Sequence, residues 1–204
     1  MNKLALVLLV MGPMIALPAI AQNPGAAERA RIAGTVEGLD GDRLRVNAAD
    51  GHTQTVILSA DATIYGVERR RFSDIKPGDF VASGGVRGTD GQIHAVELRI
   101  LPESLRGVGE GQRPWDVRPE GVMTNATVGT VSQMTDGGIV HVIYKGGESE
   151  YVVGPDVPVL AYVLADRTLL KTGAAVVTTA VKQPDGSLLT SRVTAEKDGI
   201  KPPM

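Results

Sequence analysis

Chemistry in this chain has few residues to start from. Its three histidines, His52, His94 and His141, come first, because an imidazole can bind a metal or move a proton near neutral pH. No two of them stand at the short spacing of a metal-binding motif. His52 follows the Asp50-Gly51 turn and is expected in solvent. His94 shares strand parity with Val96, Leu98 and Ile100 and is expected to point toward a core, while His141 lies between Val140 and Val142. A metal site would need two of these and a carboxylate to converge from separate parts of the chain. Met123, Met134 and Met204 beside His141 would make a softer set, since thioethers suit Cu(I). The plainer reading has Met123 and Met134 filling gaps in a core, so no metal or other cofactor is expected.

Nucleophilic and acid–base chemistry is no better supplied. Cysteine is absent, which removes thiol nucleophiles, thiolate zinc sites, iron–sulfur clusters, disulfides and a lipoprotein anchor together. The chain holds no G-x-S-x-G elbow, H-E-x-x-H pair, Walker loop or dinucleotide fingerprint. Asp40, Asp50, Asp90, Asp136 and Asp185 stand in turn positions, and Glu148 and Glu150 share one face of a predicted strand. The expectation is a protein that is not an enzyme. Two features remain as binding candidates. Arg69, Arg70 and Arg71 read either as a solvated loop or as a contact for anionic lipid headgroups or acidic glycans. Trp115, the only tryptophan, reads either as a stacking platform for a ligand or as an anchor pinning a connector to a barrel.

The elements that must position these residues are strands. Runs at 31–37, 43–47, 53–58 and 62–65 alternate or are β-branched, and Asp40-Gly41 and Asp50-Gly51 between them suit tight hairpin turns. Residues 72–76 form one helical turn that Pro77-Gly78 stops, and 79–87 with 93–101 make a hairpin around Asp90-Gly91. A gapless shift of 95 superimposes Gly34-Thr35-Val36 on Gly129-Thr130-Val131, Gly78 on Gly173 and Asp90-Gly91 on Asp185-Gly186. The common register over the whole unit reads as a duplication. The second copy comprises 128–132, 139–144, 148–153, 169–171, 174–181 and 188–195. Gly34 and Gly129 sit inside apolar first strands, where glycine marks a bend or bulge; Gly78, Gly91, Gly173 and Gly186 are turn residues. The predicted fold is all-β, a tandem pair of small OB-like barrels, with an open sandwich as the alternative. The predicted units are 22–101 and 126–204, joined by a Gly/Pro-rich connector at 102–125 that carries Trp115.

Composition sets the surroundings. The chain has 204 residues and a net charge of −2, with 21 Lys and Arg against 23 Asp and Glu, so a strongly basic nucleic-acid surface is excluded. Lys3, the apolar run at 4–11 and the Ala19-Ile20-Ala21 end have the form of a secretory signal cleaved after Ala21. Pro13 and Pro18 interrupt what a membrane anchor would keep continuous. A periplasmic or secreted protein, not integral to the membrane after cleavage, is expected.

Gly34-Thr35-Val36, Asp50-Gly51, the 75–81 stretch IKPGDFV and Asp90-Gly91 together resemble a repeated bacterial domain of unknown function found in exported proteins. The segment at 123–128 and the terminal Pro202-Pro203-Met204 are similar to small exported proteins of proteobacteria. The resemblance implies a β-barrel-like fold in the cell envelope and no established activity. Relatives of this kind sometimes bear a transferred label of metal transporter permease, which requires membrane spans that this sequence lacks. Thr172 stands where the first copy has Pro77, and Ala174 where it has Asp79. The expected function is an exported, non-enzymatic β-barrel module that binds an envelope protein, an anionic glycan or a lipid surface, and no nucleic acid. The alternative is a periplasmic accessory protein that binds a small ligand or metal in connection with transport.

Overall fold

The computed structural model describes residues 28–115 and 118–203. The expected signal segment and its cleavage site, and Met204, lie outside the described residues. The described chain is all-β apart from three single-turn 3-10 helices at Phe72–Asp74, Glu103–Leu105 and Arg167–Leu169.

Alternation is the force behind the strands. In β2 (Arg43–Ala48), Leu44 and Val46 are fully buried while Arg43 and Arg45 face solvent. With β1 (Arg29–Asp40), β3 (Thr53–Arg70), β11 (Ala175–Lys182) and β12 (Leu188–Ala195), it forms one closed five-stranded mixed barrel in the order β12-β11-β1-β2-β3. Closure comes from β12 lying parallel to β3, residues 188–190 beside 56–58 and 192–195 beside 63–66. The ladder skips 59–62, so β3 bends there, and closing the sheet on itself removes its edges. Ile32, Val36, Leu44, Val56, Val176 and Val193 fill the interior.

Seven strands flank this barrel. β4 (Phe80–Arg87), β5 (Ile93–Leu101), β7 (Gly121–Met134), β8 (Gly137–Tyr144) and β9 (Gly147–Val153) run in the order β5-β4-β7-β8-β9 around a second core containing Val81, Leu98, Val140, Val142 and Tyr151. Ile93 and His94 of β5 also pair in parallel with Tyr151 and Val152 of β9. The short β6 (Gly111–Pro114) adds to β7. β10 (Val159–Ala165) joins the two sets, antiparallel to residues 64–70 of β3 and parallel to 98–100 of β5.

Sequence order predicts that β4–β5 closes the barrel begun by β1–β3. The structure corrects this: β11–β12 closes it, and β4–β5 packs instead on β7. The reason lies in β3. Its two predicted pieces are one strand of 18 residues, about 60 Å of extended chain. Its last seven residues leave the β2 ladder and pair with β10, which carries the chain away from β1 before β4 begins.

The turn glycines follow their predicted chemistry at four positions. Gly78, Gly91, Gly173 and Gly186 all have φ between +80° and +92°. Gly129 sits at the bulge between Val128 and Thr130. Gly34 does not mark a bulge; the irregularity in β1 falls between Val36 and Gly38. Gly34 is there because β2 crosses so close that a Cβ would overlap the Asn47 carbonyl oxygen.

Candidate functional site

Between the outer face of the closed barrel and the outer face of the flanking strands lies a cleft of about 360 Å³. One wall is built by β1, β11 and β12 with Arg31, Val177, Arg192 and Thr194. The other is built by β4, β5 and β7 with Ala82, Glu97, Arg99, Met123 and Asn125. Strand period explains the first wall: Arg31 alternates with the core residue Ile32. A bulge explains the second. The β4–β5 register shifts between Gly84 and Gly85, opposite Glu97 and Ala95. Ala95 therefore enters the core, and two residues later Glu97 and Arg99 face the cleft while Leu98 takes the core position.

Charge in the cleft is unbalanced. Among the described residues, the guanidinium groups of Arg31, Arg99, Arg113 and Arg192 line it with one carboxylate, that of Glu97. That carboxylate is already engaged, 2.8 Å from Nη2 of Arg99. Arg99 is the buried member of the set. It donates from Nη1 to the Tyr162 hydroxyl at 3.2 Å and from Nη2 to the Met123 sulfur at 3.4 Å, and its Nε has no partner. Burial works against its charge most strongly, but Tyr162 and Glu97 outweigh that and hold the guanidinium above its ordinary pKa. Arg31 donates to the Pro203 carbonyl at 3.3 Å, and Arg113 to the Gly109 carbonyl at 3.0 Å.

Trp115 lies against β4 and stands at the cleft. Its backbone N–H donates to the Gly121 carbonyl at 2.8 Å, and its ring covers Gly84, where a Cβ would come within 2.9 Å of it. The glycine is what lets the indole lie flat on β4. Asn125 donates from Nδ2 to the Val108 carbonyl at 2.9 Å, while its buried Oδ1 accepts nothing. A buried acceptor without a donor is uncommon enough to mark a site.

The other predicted residues are dispersed. Arg70 is paired with Glu68 at 2.7 Å, and Arg69, Arg70 and Arg71 border a shallow surface depression with Asp74, none of them lining the cleft. His94 does not point toward the core. It is exposed and lies 2.9 Å from the Asp90 carboxylate, because the β5 bulge gives the core positions to Ile93, Ala95 and Leu98. His141 lies 3.2 Å from Glu148 at a separate depression beside Tyr144 and Ser149. Met134 is 58 % exposed at the end of β7, so it fills no core gap, whereas Met123 is buried beneath Arg99. Among the described residues no three His, Asp or Glu side chains gather in a metal-binding cluster. No helix among them is long and apolar enough to cross a membrane.

Sequence reasoning missed Arg31, Arg99, Arg113, Arg192, Glu97 and Asn125. They are scattered over 162 positions on five strands, and single charged residues on strands look like ordinary solvated faces. One signal was legible: Glu97 and Arg99 interrupt the otherwise apolar stretch 95–101 of their strand. Compared with protein-family models, curated proteins and solved structures, the chain matches none.

Proposed function

We propose that this chain is an exported, non-catalytic β-barrel protein of the cell envelope that holds a small molecule in the cleft between its two halves. The observation that carries the reading is the cleft itself. Ligand sites favour concave interfaces of 300 Å³ or more that are largely pre-formed, with a few polar groups converging on them. This one combines that form with a buried guanidinium and an orphan buried acceptor.

The reading extends to the fold: the chain is a duplicated unit in which the closing hairpins are exchanged. Strand registers support it. Adding or subtracting 95 turns the pairing of residues 188 and 56 into that of 93 and 151, and the pairing of 193 and 64 into that of 98 and 159. The antiparallel contact of β3 and β10 transforms into itself, since 64 pairs with 165 and 70 with 159. Self-complementary contact of this kind is what a two-fold axis produces. The strands β5-β4-β7-β8-β9 would then be a second, looser barrel. The first strands depart from the gapless shift, for Val36 faces Val46 while Val128 faces Val142. Corresponding positions line the two walls of the cleft, Glu97 opposite in role to Arg192, Arg99 to Thr194 and Ala82 to Val177. Duplicated walls with divergent side chains are the expected form of a site that arose at the axis.

The test is thermal melting of the purified protein against a panel of neutral, cationic and anionic metabolites, with Trp115 fluorescence as a local report. At least one compound is expected to raise the melting temperature and change the Trp115 emission together, because binding to the native state stabilises it. A panel in which no compound does both overturns the binding reading.

A further inference from the structure

Resting on that reading, we propose that the cleft is specific for a hydroxylated six-membered ring bearing one oxyanion, as in a sugar acid or a sugar phosphate. Three observations bear on the ligand's chemistry. The first is charge. Among the described residues, Arg31, Arg99 and Arg192 line a single cavity with one already paired carboxylate, that of Glu97, in a chain whose net charge is −2. Guanidinium forks match the two oxygens of a carboxylate or phosphate, so an oxyanion relieves the mutual repulsion of the arginines. Arg99 is held between Glu97, Tyr162 and Met123, which fixes its position before any ligand arrives. Arg31 and Arg192 stand on the opposite wall and supply the adjustable charge.

The second observation is polarity. Thr178, Thr179, Thr194 and Asn125 also line the cleft, a lining suited to hydroxyl groups rather than to a hydrocarbon. The unpartnered Oδ1 of Asn125 needs a donor, which an oxyanion lacks and a hydroxyl provides. The third is size and shape. A cavity of about 360 Å³ accommodates one sugar ring with its substituents, and Trp115 offers an indole face at its margin.

The probes are glucuronate, glucose 6-phosphate, glucose, glucosamine and inorganic phosphate, each titrated into the full-length protein and followed by Trp115 fluorescence and calorimetry. Saturable binding is expected for glucuronate or glucose 6-phosphate, and the stronger of the two identifies the source of the oxyanion. Glucose and glucosamine are expected to bind at least tenfold more weakly. Arg31→Gln with Arg192→Gln is expected to weaken the anionic probe at least tenfold without lowering the ligand-free melting temperature by more than a few degrees, since neither side chain is in a core and their removal lessens the repulsion among the arginines. The double variant is preferred to an Arg99 substitution, which would leave Glu97 buried without a partner. Binding of glucose equal to that of the acids, or of inorganic phosphate equal to that of glucose 6-phosphate, overturns the proposal. So does an unchanged affinity in the double variant. If a neutral or cationic compound of the wider panel binds while both acids fail, the ligand class is wrong and the cleft remains a binding site. If nothing of any charge binds, both readings fall.

Discussion

Gly34, Gly78 and Gly173 are all glycine for reasons that differ, and the difference is measurable. Gly78 and Gly173 have φ of +92° and +86°, yet a Cβ on either would meet nothing within 4 Å. Substitution there strains only the backbone. Gly78→Ala and Gly173→Ala are each expected to cost about 1–2 kcal/mol in urea unfolding, the scale of a left-handed non-glycine residue. Gly78→Asn should cost less, because asparagine tolerates that region. Gly34 has ordinary backbone angles, but its Cβ would overlap the Asn47 carbonyl in the neighbouring strand. Gly34→Ala must therefore push β1 and β2 apart and is expected to destabilise more than either turn variant. Equal costs at all three positions would show that close strand approach is not what excludes a side chain at Gly34.

At the scale of the element, the long β3 strand is held to the end of the chain by charge as well as by its ladder. Lys197 donates to Glu68 at 2.9 Å and its aliphatic stem covers Gly66, where a Cβ would come within 2.8 Å of it. The hydrogen bond from Lys197, with that from Arg70, lowers the pKa of Glu68 below its ordinary 4.5. The bond to Glu68, with that to Asp198, raises the pKa of Lys197 above its ordinary 10.5. A lowered carboxylate adds stability that is complete above its unfolded value and is lost as pH falls through the folded one. A raised amine adds stability that is complete below its unfolded value and is lost as pH rises through the folded one. The contribution therefore persists from about pH 4.5 to 10.5 and fades outside that window. These side chains are partly exposed, 31 % and 30 %, so the effect is small and shrinks with salt. Lys197→Met keeps the apolar cover and removes the charge. Its urea midpoint at low salt is expected below the parent's at pH 6 and to converge on it as pH falls well below 4.5. A difference that stays constant down to pH 3 would assign the loss to packing instead.

At the scale of the whole molecule, the closed barrel depends on strands from both ends of the described chain. The barrel strands β1–β3 are completed by β11–β12 from the far end of the chain, while β4–β5 serve the strands β7–β9. A fragment of residues 29–101 holds every element that a self-contained first unit would need. It is expected to lack a fixed structure, because β1 and β3 lose the partners that close the barrel and Val176, Ala180 and Val193 leave its core. Dispersion of the fragment's amide proton shifts is the measurement. A well-dispersed, cooperatively melting fragment would show that β4–β5 can close on β1–β3. In the intact protein, a barrel built from both ends of the described chain and joined through β10 to the flanking strands is expected to unfold with them in one transition.

Most of the strands and the turn glycines could be read from the sequence because each rests on neighbours within a few residues, whereas β6 and β10 could not, being defined by pairing with distant strands. Alternation at 43–47, Asp-Gly at tight turns and glycine at positive φ are local facts of steric fit and burial. The sequence was also sufficient to exclude thiol chemistry and a strongly basic surface, since composition alone decides those. Which hairpin closes the barrel was beyond it. The two hairpins carry similar patterns, and only the path of an 18-residue β3 bent at 59–62 decides between them. His94 was misread for a related reason, because a bulge opposite Gly84 and Gly85 reverses the parity on which its direction was judged. The cleft is the furthest from local reading. Arg31, Arg99 and Arg192 face one another only after the ends of the chain have been brought together, and side chains that meet through tertiary structure leave no spacing in the sequence to reveal them.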